Sequence, residues 1–163
     1  MRVQSQHLLG LAMVGVLALG AGCAEEKATD RTMSRSGGHA GKAMDASLYE
    51  RVGKKDAITA VIDDFVGRVA KDNRINAKFA NADIPRLKKL LVEQVCAASG
   101  GPCTYTGRDM KTTHAGMNVT NEEFDALVGD LVASLNKFKV GEREKTELLS
   151  VLGPMRKDIV TGS

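Results

Sequence analysis

From residue 47 onward, apolar residues recur at three- and four-residue spacing, in blocks separated by Gly, Pro, Asn and Asp. That period predicts amphipathic helices. Ser47 and Glu50 have the spacing of a capping box, so a short first helix carries Leu48, Tyr49 and Val52 and ends at Gly53. Asp56 can cap a longer helix with Ile58, Val61, Ile62, Phe65, Val66 and Val69 on one face, stopped at Asp72-Asn73-Arg74. After Phe79, Asn81 or Asp83 can cap the next helix and Pro85 suits its first turn. Leu87, Leu90, Leu91, Gln94, Val95 and Ala98 share one face of that helix. Ser99-Gly100-Gly101-Pro102 breaks the pattern, and Thr104 to Gly107 reads as loop. Met110, Thr113 and His114 suit a short helical segment closed by Gly116. Thr120 and Glu123 form a second capping box, ahead of Phe124, Leu127, Val128, Leu131, Val132, Leu135 and Phe138. A last helix with Leu148, Leu149, Leu152 and Met155 follows Gly141. No alternating pattern exceeds four residues and no repeat is present, so the predicted fold class is all-α.

The first 46 residues follow different rules. Met1-Arg2 gives a short positive start, and Leu8 to Leu19 is an apolar run too short to span a bilayer but suited to a secretory signal. The small residues Gly20-Ala21-Gly22 before Cys23 resemble a bacterial lipobox, in which Cys23 is lipidated and becomes the new N-terminus. The alternative is ordinary signal cleavage nearby, leaving a free thiol. Residues 24–46 hold Ser, Gly and charge without apolar periodicity, so they bury too little surface to offset their ordering entropy. A lone His39 there reads as solvated. The expected organisation is a signal peptide over 1–22, a flexible tether over 23–46 and a folded domain over 47–163, exported to face the periplasm and held to a bacterial membrane by lipid.

Composition narrows the function. With 43% hydrophobic residues the whole chain is not disordered, and a mean hydropathy of −0.16 excludes a multi-span membrane protein. Residues 47–163 carry 18 basic against 16 acidic side chains with no like-charge run longer than a pair. The basic stripe of a nucleic-acid binder is absent.

His114 is the one histidine of the folded segment, and no other residue there joins neutral-pH titration to strong metal affinity. Cys96, Cys103 and His114 match no compact zinc spacing. In an oxidising compartment Cys96 and Cys103, seven apart across a Gly-Gly-Pro turn, can close a disulfide; two buried thiols or a redox pair are the alternatives. Asp63-Asp64 and Glu122-Glu123 are adjacent pairs on helices and read as solvated faces. Ser99 lies in a Gly-rich break and offers no nucleophile elbow near His114.

Several of these segments together resemble a group I truncated hemoglobin. They are Leu48 to Gly53, Phe65 in a helix ended by Asp72 to Ile75, Phe79-Ala80, and the Arg86-Leu87-Lys88 helix. Gly100-Gly101-Pro102, Tyr105-Thr106-Gly107 with Met110 and His114, and Phe124 to Val128 continue the likeness, almost without gaps, over 47–163. The resemblance implies a two-over-two helical sandwich and a heme b cofactor. It makes His114 the proximal iron ligand, sets Phe79 on the heme face, and places Phe65, Val66, Leu87, Leu91, Tyr105 and Met110 around the heme. The chain has no Cys-x-x-Cys-His, so covalent c-type attachment is excluded.

The family usually carries Tyr after Phe65, where this chain has Val66, and often Gln or His where it has Leu87, Leu90 and Leu91. The expected distal pocket is thus almost wholly apolar, with Gln94 the nearest polar side chain and Lys88 and Lys89 solvated. The implied function is reversible binding of oxygen, carbon monoxide and nitric oxide, with weak preference for oxygen. A heme-dependent nitric oxide dioxygenase or peroxidase, served by an unidentified reductase, is the alternative. A non-heme helical lipoprotein with a structural His114 is a third reading.

Overall fold

Ser47 opens the first helix, α1 (Leu48–Val52), by a reciprocal pair of hydrogen bonds. Its hydroxyl accepts from the Glu50 N–H and its own N–H donates to the Glu50 carboxylate, both at 3.3 Å. The computed structural model describes residues 46–162. The expected signal peptide (1–22), the tether residues 23–45 with His39, and the lipidation site Cys23 lie outside the described residues.

Gly53 ends α1 at φ 104°, and a Cβ there would stand 2.8 Å from the Ala57 Cβ. Glycine alone takes this turn without strain. It lets α2 (Lys54–Val69) begin at once, so Asp56 sits in the first turn instead of capping the helix as the sequence suggests. All six apolar residues expected on α2 are buried. A turn and a short 3-10 helix (Asn76–Phe79) lead to α3 (Ile84–Ala98), where Asp83 rather than Asn81 is the cap, accepting from the Arg86 N–H at 3.1 Å.

The break after α3 is tightly packed. Tyr49 N–H donates to the Ser99 carbonyl at 2.8 Å, and a Cβ at Gly101 would meet the Tyr49 ring at 2.5 Å. The Cys96–Cys103 disulfide closes this turn with Cα atoms 5.7 Å apart. Thus α1, the end of α3 and the following loop form one tied corner.

Next come α4 (Met110–His114), α5 (Asn121–Lys137) and α6 (Glu142–Leu152). The capping box of Thr120 and Glu123 opens α5 as expected. Gly153–Met155 is a 3-10 turn and Arg156–Ile159 forms α7, which the sequence pattern does not predict. Pro154 has no N–H to continue α6, so Met155 leaves the helix in which it was expected. The chain then lies beside residue 119, where Val119 and Val160 make an isolated parallel bridge.

Helix α2 lies on α3 and α5, α3 meets α6, and α1 bridges α2 and α6, giving two stacked helix pairs. This is the expected two-over-two sandwich. Ile58, Ile62, Leu135, Leu148 and Cys96 are its most enclosed apolar side chains. Arg51 locks α1 to α6 through Glu144 at 3.1 Å and through Glu147.

Two expectations on polarity and exposure need correction. Phe138 is 41% exposed, because α5 ends at Lys137 while the apolar period runs one residue further. Asp64 is not on a solvated face: its carboxylate accepts from Ser134 at 2.9 Å and Arg68 at 2.8 Å and pairs with Lys137. Asp63 pairs with Lys88 at 2.9 Å.

Lys137 and Arg68, then Ser134, hold the Asp64 carboxyl well below the usual carboxylate range against the opposing effect of burial. A folded-state value below the unfolded one gives stability that is complete above about pH 4–5 and fades as pH falls below it. Asp64→Asn should therefore lower the urea midpoint at neutral pH, with the gap to the parent narrowing as acid is added. Opening the disulfide by Cys96→Ala with Cys103→Ser should cost about 2–3 kcal/mol, the chain-entropy value for so short a loop. Equilibrium urea unfolding measures both.

Candidate ligand cleft around His114

Asp109 starts the helix that carries the histidine, its carboxylate accepting from the Thr112 N–H at 2.9 Å. With only five residues, α4 has its two ends one turn apart, so the Met110 carbonyl faces the His114 ring at 2.8 Å from Nδ1. A carbonyl can only accept, so Nδ1 is the donor, and in the neutral ring Nε2 is the nitrogen with the lone pair. Gly116 at φ 78° turns the chain away directly afterwards. The turn is pinned from across the cleft: Lys78 Nζ donates to the Met117 carbonyl at 2.7 Å and pairs with Glu123 at 3.4 Å.

The half-buried His114 ring lines two cavities. One, of about 140 Å³, is walled by Phe65, Leu91, Gln94, Met110, Phe124, Leu127 and Met155 among others. The second, of about 60 Å³, reaches Phe79, Lys78, Met117 and Phe124. A third, of about 410 Å³, does not include His114 and is walled by Val66, Val69, Ile84 and Leu87, together with Phe65, Leu91 and Phe79. Phe65 and Leu91 also wall the 140 Å³ space and Phe79 the 60 Å³ space, so the three are neighbours along one cleft, the large space lying between α2, the 3-10 helix and α3 and the two at His114 reaching α5.

Phe65, Val66, Phe79, Leu87, Leu91, Met110 and His114 thus all line this cleft. Tyr105 lines none of the three spaces. Its hydroxyl donates to the Arg108 carbonyl at 2.9 Å and its ring folds over Gly107, where a Cβ would collide with it. Its environment is the loop before α4, and burial pushes its phenol up. Cys96 and Cys103 are bonded to each other and are therefore not available beside His114 as metal ligands. Lys88 and Lys89 face away, paired with Asp63 and with Glu93 at 3.2 Å.

The cleft holds residues that the periodicity alone does not mark. Phe124, Leu127 and Ile159 read as core positions, since helical spacing cannot tell a packed face from a cavity wall. Gln94 is committed: its amide donates to the Met155 sulfur at 3.2 Å and the Met110 sulfur at 3.4 Å. Lys78 and Asn76 carry no sequence signal beyond being polar in a turn. The donor set fits a flat apolar macrocycle whose metal takes one imidazole nitrogen: aromatic and aliphatic walls, and one histidine whose Nδ1 is committed to a carbonyl, leaving Nε2 for the metal.

A family model described as bacterial-like globin matches residues 47–161. A group 1 truncated hemoglobin of Mycolicibacterium paratuberculosis is 36% identical over 121 residues, covering 74% of this chain and 89% of the relative. Among solved structures, the Fe(III) form of the truncated hemoglobin from Tetrahymena pyriformis superposes with a TM-score of 0.69 at 31% identity, over 72% of this chain and 100% of that one. The 2/2 hemoglobin from Synechococcus sp. PCC 7002, which has covalently attached heme, gives 0.67 at 30% identity over 71% and 98%. Since the match runs from the cap of the first helix to the segment that bridges to Val119, the chain belongs to the bacterial-like globin family and, within it, to the group 1 truncated hemoglobins.

Proposed function

We propose that the protein is a heme b globin that reversibly binds oxygen, carbon monoxide and nitric oxide, with His114 as the proximal iron ligand. The observation that carries this reading is the Nδ1 contact to the Met110 carbonyl at 2.8 Å, which orients the ring and leaves Nε2 as the nitrogen free to take a metal. Heme held there by His114 would supply an iron able to bind a diatomic molecule.

The residues of this chain then set the preference. Phe65 and Phe79 offer aromatic surface, and Met110 fills the space beside the imidazole. Val66, Leu87 and Leu91 form an apolar distal wall. Both amide N–H donors of Gln94 are on thioethers, so donating to a ligand means giving up one of those contacts. Oxygen draws negative charge when bound, so a hydrogen-bond donor to it contributes on the order of 1–3 kcal/mol. Without one, oxygen leaves roughly ten- to a hundredfold faster, while carbon monoxide and nitric oxide depend less on such a bond. The apolar wall disfavours a dioxygenase or peroxidase, since O–O chemistry uses placed acid–base groups.

We further propose that the globin is exported and lipid-anchored through Cys23, facing the periplasm. The signal-like run of residues 8–19 supports this, and so does the Cys96–Cys103 disulfide, which suits an oxidising compartment.

The test is spectroscopic and kinetic. Hemin-reconstituted protein, reduced with dithionite, should form a carbon monoxide complex with a sharp Soret band; no such change would remove the heme reading. In flash photolysis, Val66→Tyr should slow oxygen release roughly ten- to a hundredfold and change carbon monoxide release less. Equal oxygen release in parent and variant would contradict the apolar-wall account.

A further inference from the structure

We propose that the corner between α5 and α6, built around Phe138 and Lys139, is a docking surface for the anionic headgroups of the bilayer that holds the tether; this rests on the lipid-anchored reading above. Helix α5 ends there in two backbone bonds, Lys139 N–H to the Asn136 carbonyl and Val140 N–H to the Leu135 carbonyl, both at 3.0 Å. Such a double closure needs a left-handed residue, usually glycine, and Lys139 fills it at φ 57°. It turns Val140 in against the core and Phe138 out. The Phe138 ring is 41% exposed, with the Lys137 ammonium 5.7 Å from its centroid. A lysine is strained where glycine is at ease, and what it supplies is a positive charge at the apex.

The location identifies the partner. Arg51 donates to the Ala46 carbonyl at 2.7 Å and to the Glu144 carboxylate at 3.1 Å, and that carboxylate lies against Gly141. Ala46 is therefore one guanidinium away from the loop that follows Phe138, and the two share one end of the domain. Twenty-three residues lead from Cys23 to Ala46, and a chain of that length spans at most about 80 Å. A domain held so close to a surface meets it at an effective concentration in the millimolar range, so a contact too weak to recruit a free protein is populated.

The charge suits phosphate headgroups. Residues 136–145 carry four basic and two acidic side chains, and both acids are paired, Glu142 with Lys145 and Glu144 with Arg51. Lys139 takes part in no ion pair among the described residues. No described helix is long and apolar enough to cross a membrane, so the contact is interfacial. Phe124, in the wall of the cleft, lies fourteen residues before Phe138, about 21 Å along the α5 axis. Docked by the corner, the domain keeps its ligand cleft at the end of α5 remote from the lipid.

The chain has no Trp, so Phe138→Trp places a single reporter at the corner, and Val151→Trp, at the other exposed large apolar position, is its control. Cys96 and Cys103 are bonded, which leaves Cys23 as the thiol through which the hemin-loaded chain, from residue 23 onward, is coupled to maleimide-lipid vesicles. On vesicles of equal parts phosphatidylglycerol and phosphatidylethanolamine, the Phe138→Trp emission should move to shorter wavelength and be quenched by brominated acyl chains. Val151→Trp should show neither change, and phosphatidylcholine vesicles should weaken the response of the corner. In the Phe138→Trp background, Lys139→Gly should lower the ratio of inserted to free chains about fivefold, the value of one lysine at an anionic surface, while the thermal midpoint holds or rises. Emission equal on vesicles and in solution, equal quenching of the two reporters, or an unchanged ratio in Lys139→Gly would overturn the proposal. So would a shift that follows protein density on the vesicle and ignores lipid composition, which would assign the corner to a second copy of the chain. Mass spectrometry of the membrane-extracted chain tests the anchor separately: an unmodified Cys23 removes the anchored reading, and the coupled vesicles still decide whether the corner meets lipid.

Discussion

One hydrogen bond governs the chemistry of this fold: Nδ1 of His114 to the carbonyl of Met110, within a helix of five residues. It fixes the ring's rotation and, in the neutral imidazole, leaves Nε2 as the nitrogen without a hydrogen-bond partner of its own. Much of the surrounding architecture keeps that short helix in place. The Cys96–Cys103 link ties the loop ahead of it to α3, Asp109 caps its start, and Lys78 holds the turn behind it from the opposite wall. The closing segment contributes as well, because α7 packs on α4 and the Val119–Val160 bridge fixes α7.

The other wall owes its character to absence of polarity. Val66, Leu87 and Leu91 offer no donor, and Gln94, the polar group nearest in sequence, spends its amide on two thioethers that belong to the histidine side. Helix α3 is thereby tied to Met110 of the histidine helix and to Met155 through Gln94.

Much of this was legible in the sequence, for identifiable reasons. Capping boxes at Ser47 and Thr120 and the apolar period of α2 are local signals, and local signals survive folding. The role proposed for His114 rests on resemblance to a family, since spacing alone leaves it a lone histidine. Features set by tertiary contact were not legible. Asp64 looks like half of a solvated acidic pair until Ser134 and Lys137 arrive from another helix. Tyr105 belongs to the expected site by family likeness, yet its loop folds it onto Gly107. Helix α7 spans four residues, too few to show a period, and the bridge beside it is a single residue pair. Asn76 in the cavity wall is a turn residue by every sequence criterion.

The central claim is that the His114 imidazole, and no other group, grips the heme iron. Its direct measurement is hemin retention by His114→Ala after gel filtration, followed by absorption spectroscopy with and without added imidazole. Loss of the parent's reduced spectrum, restored when free imidazole fills the space left by the side chain, is the expected result. A variant that keeps the parent's spectrum unchanged without imidazole would contradict it.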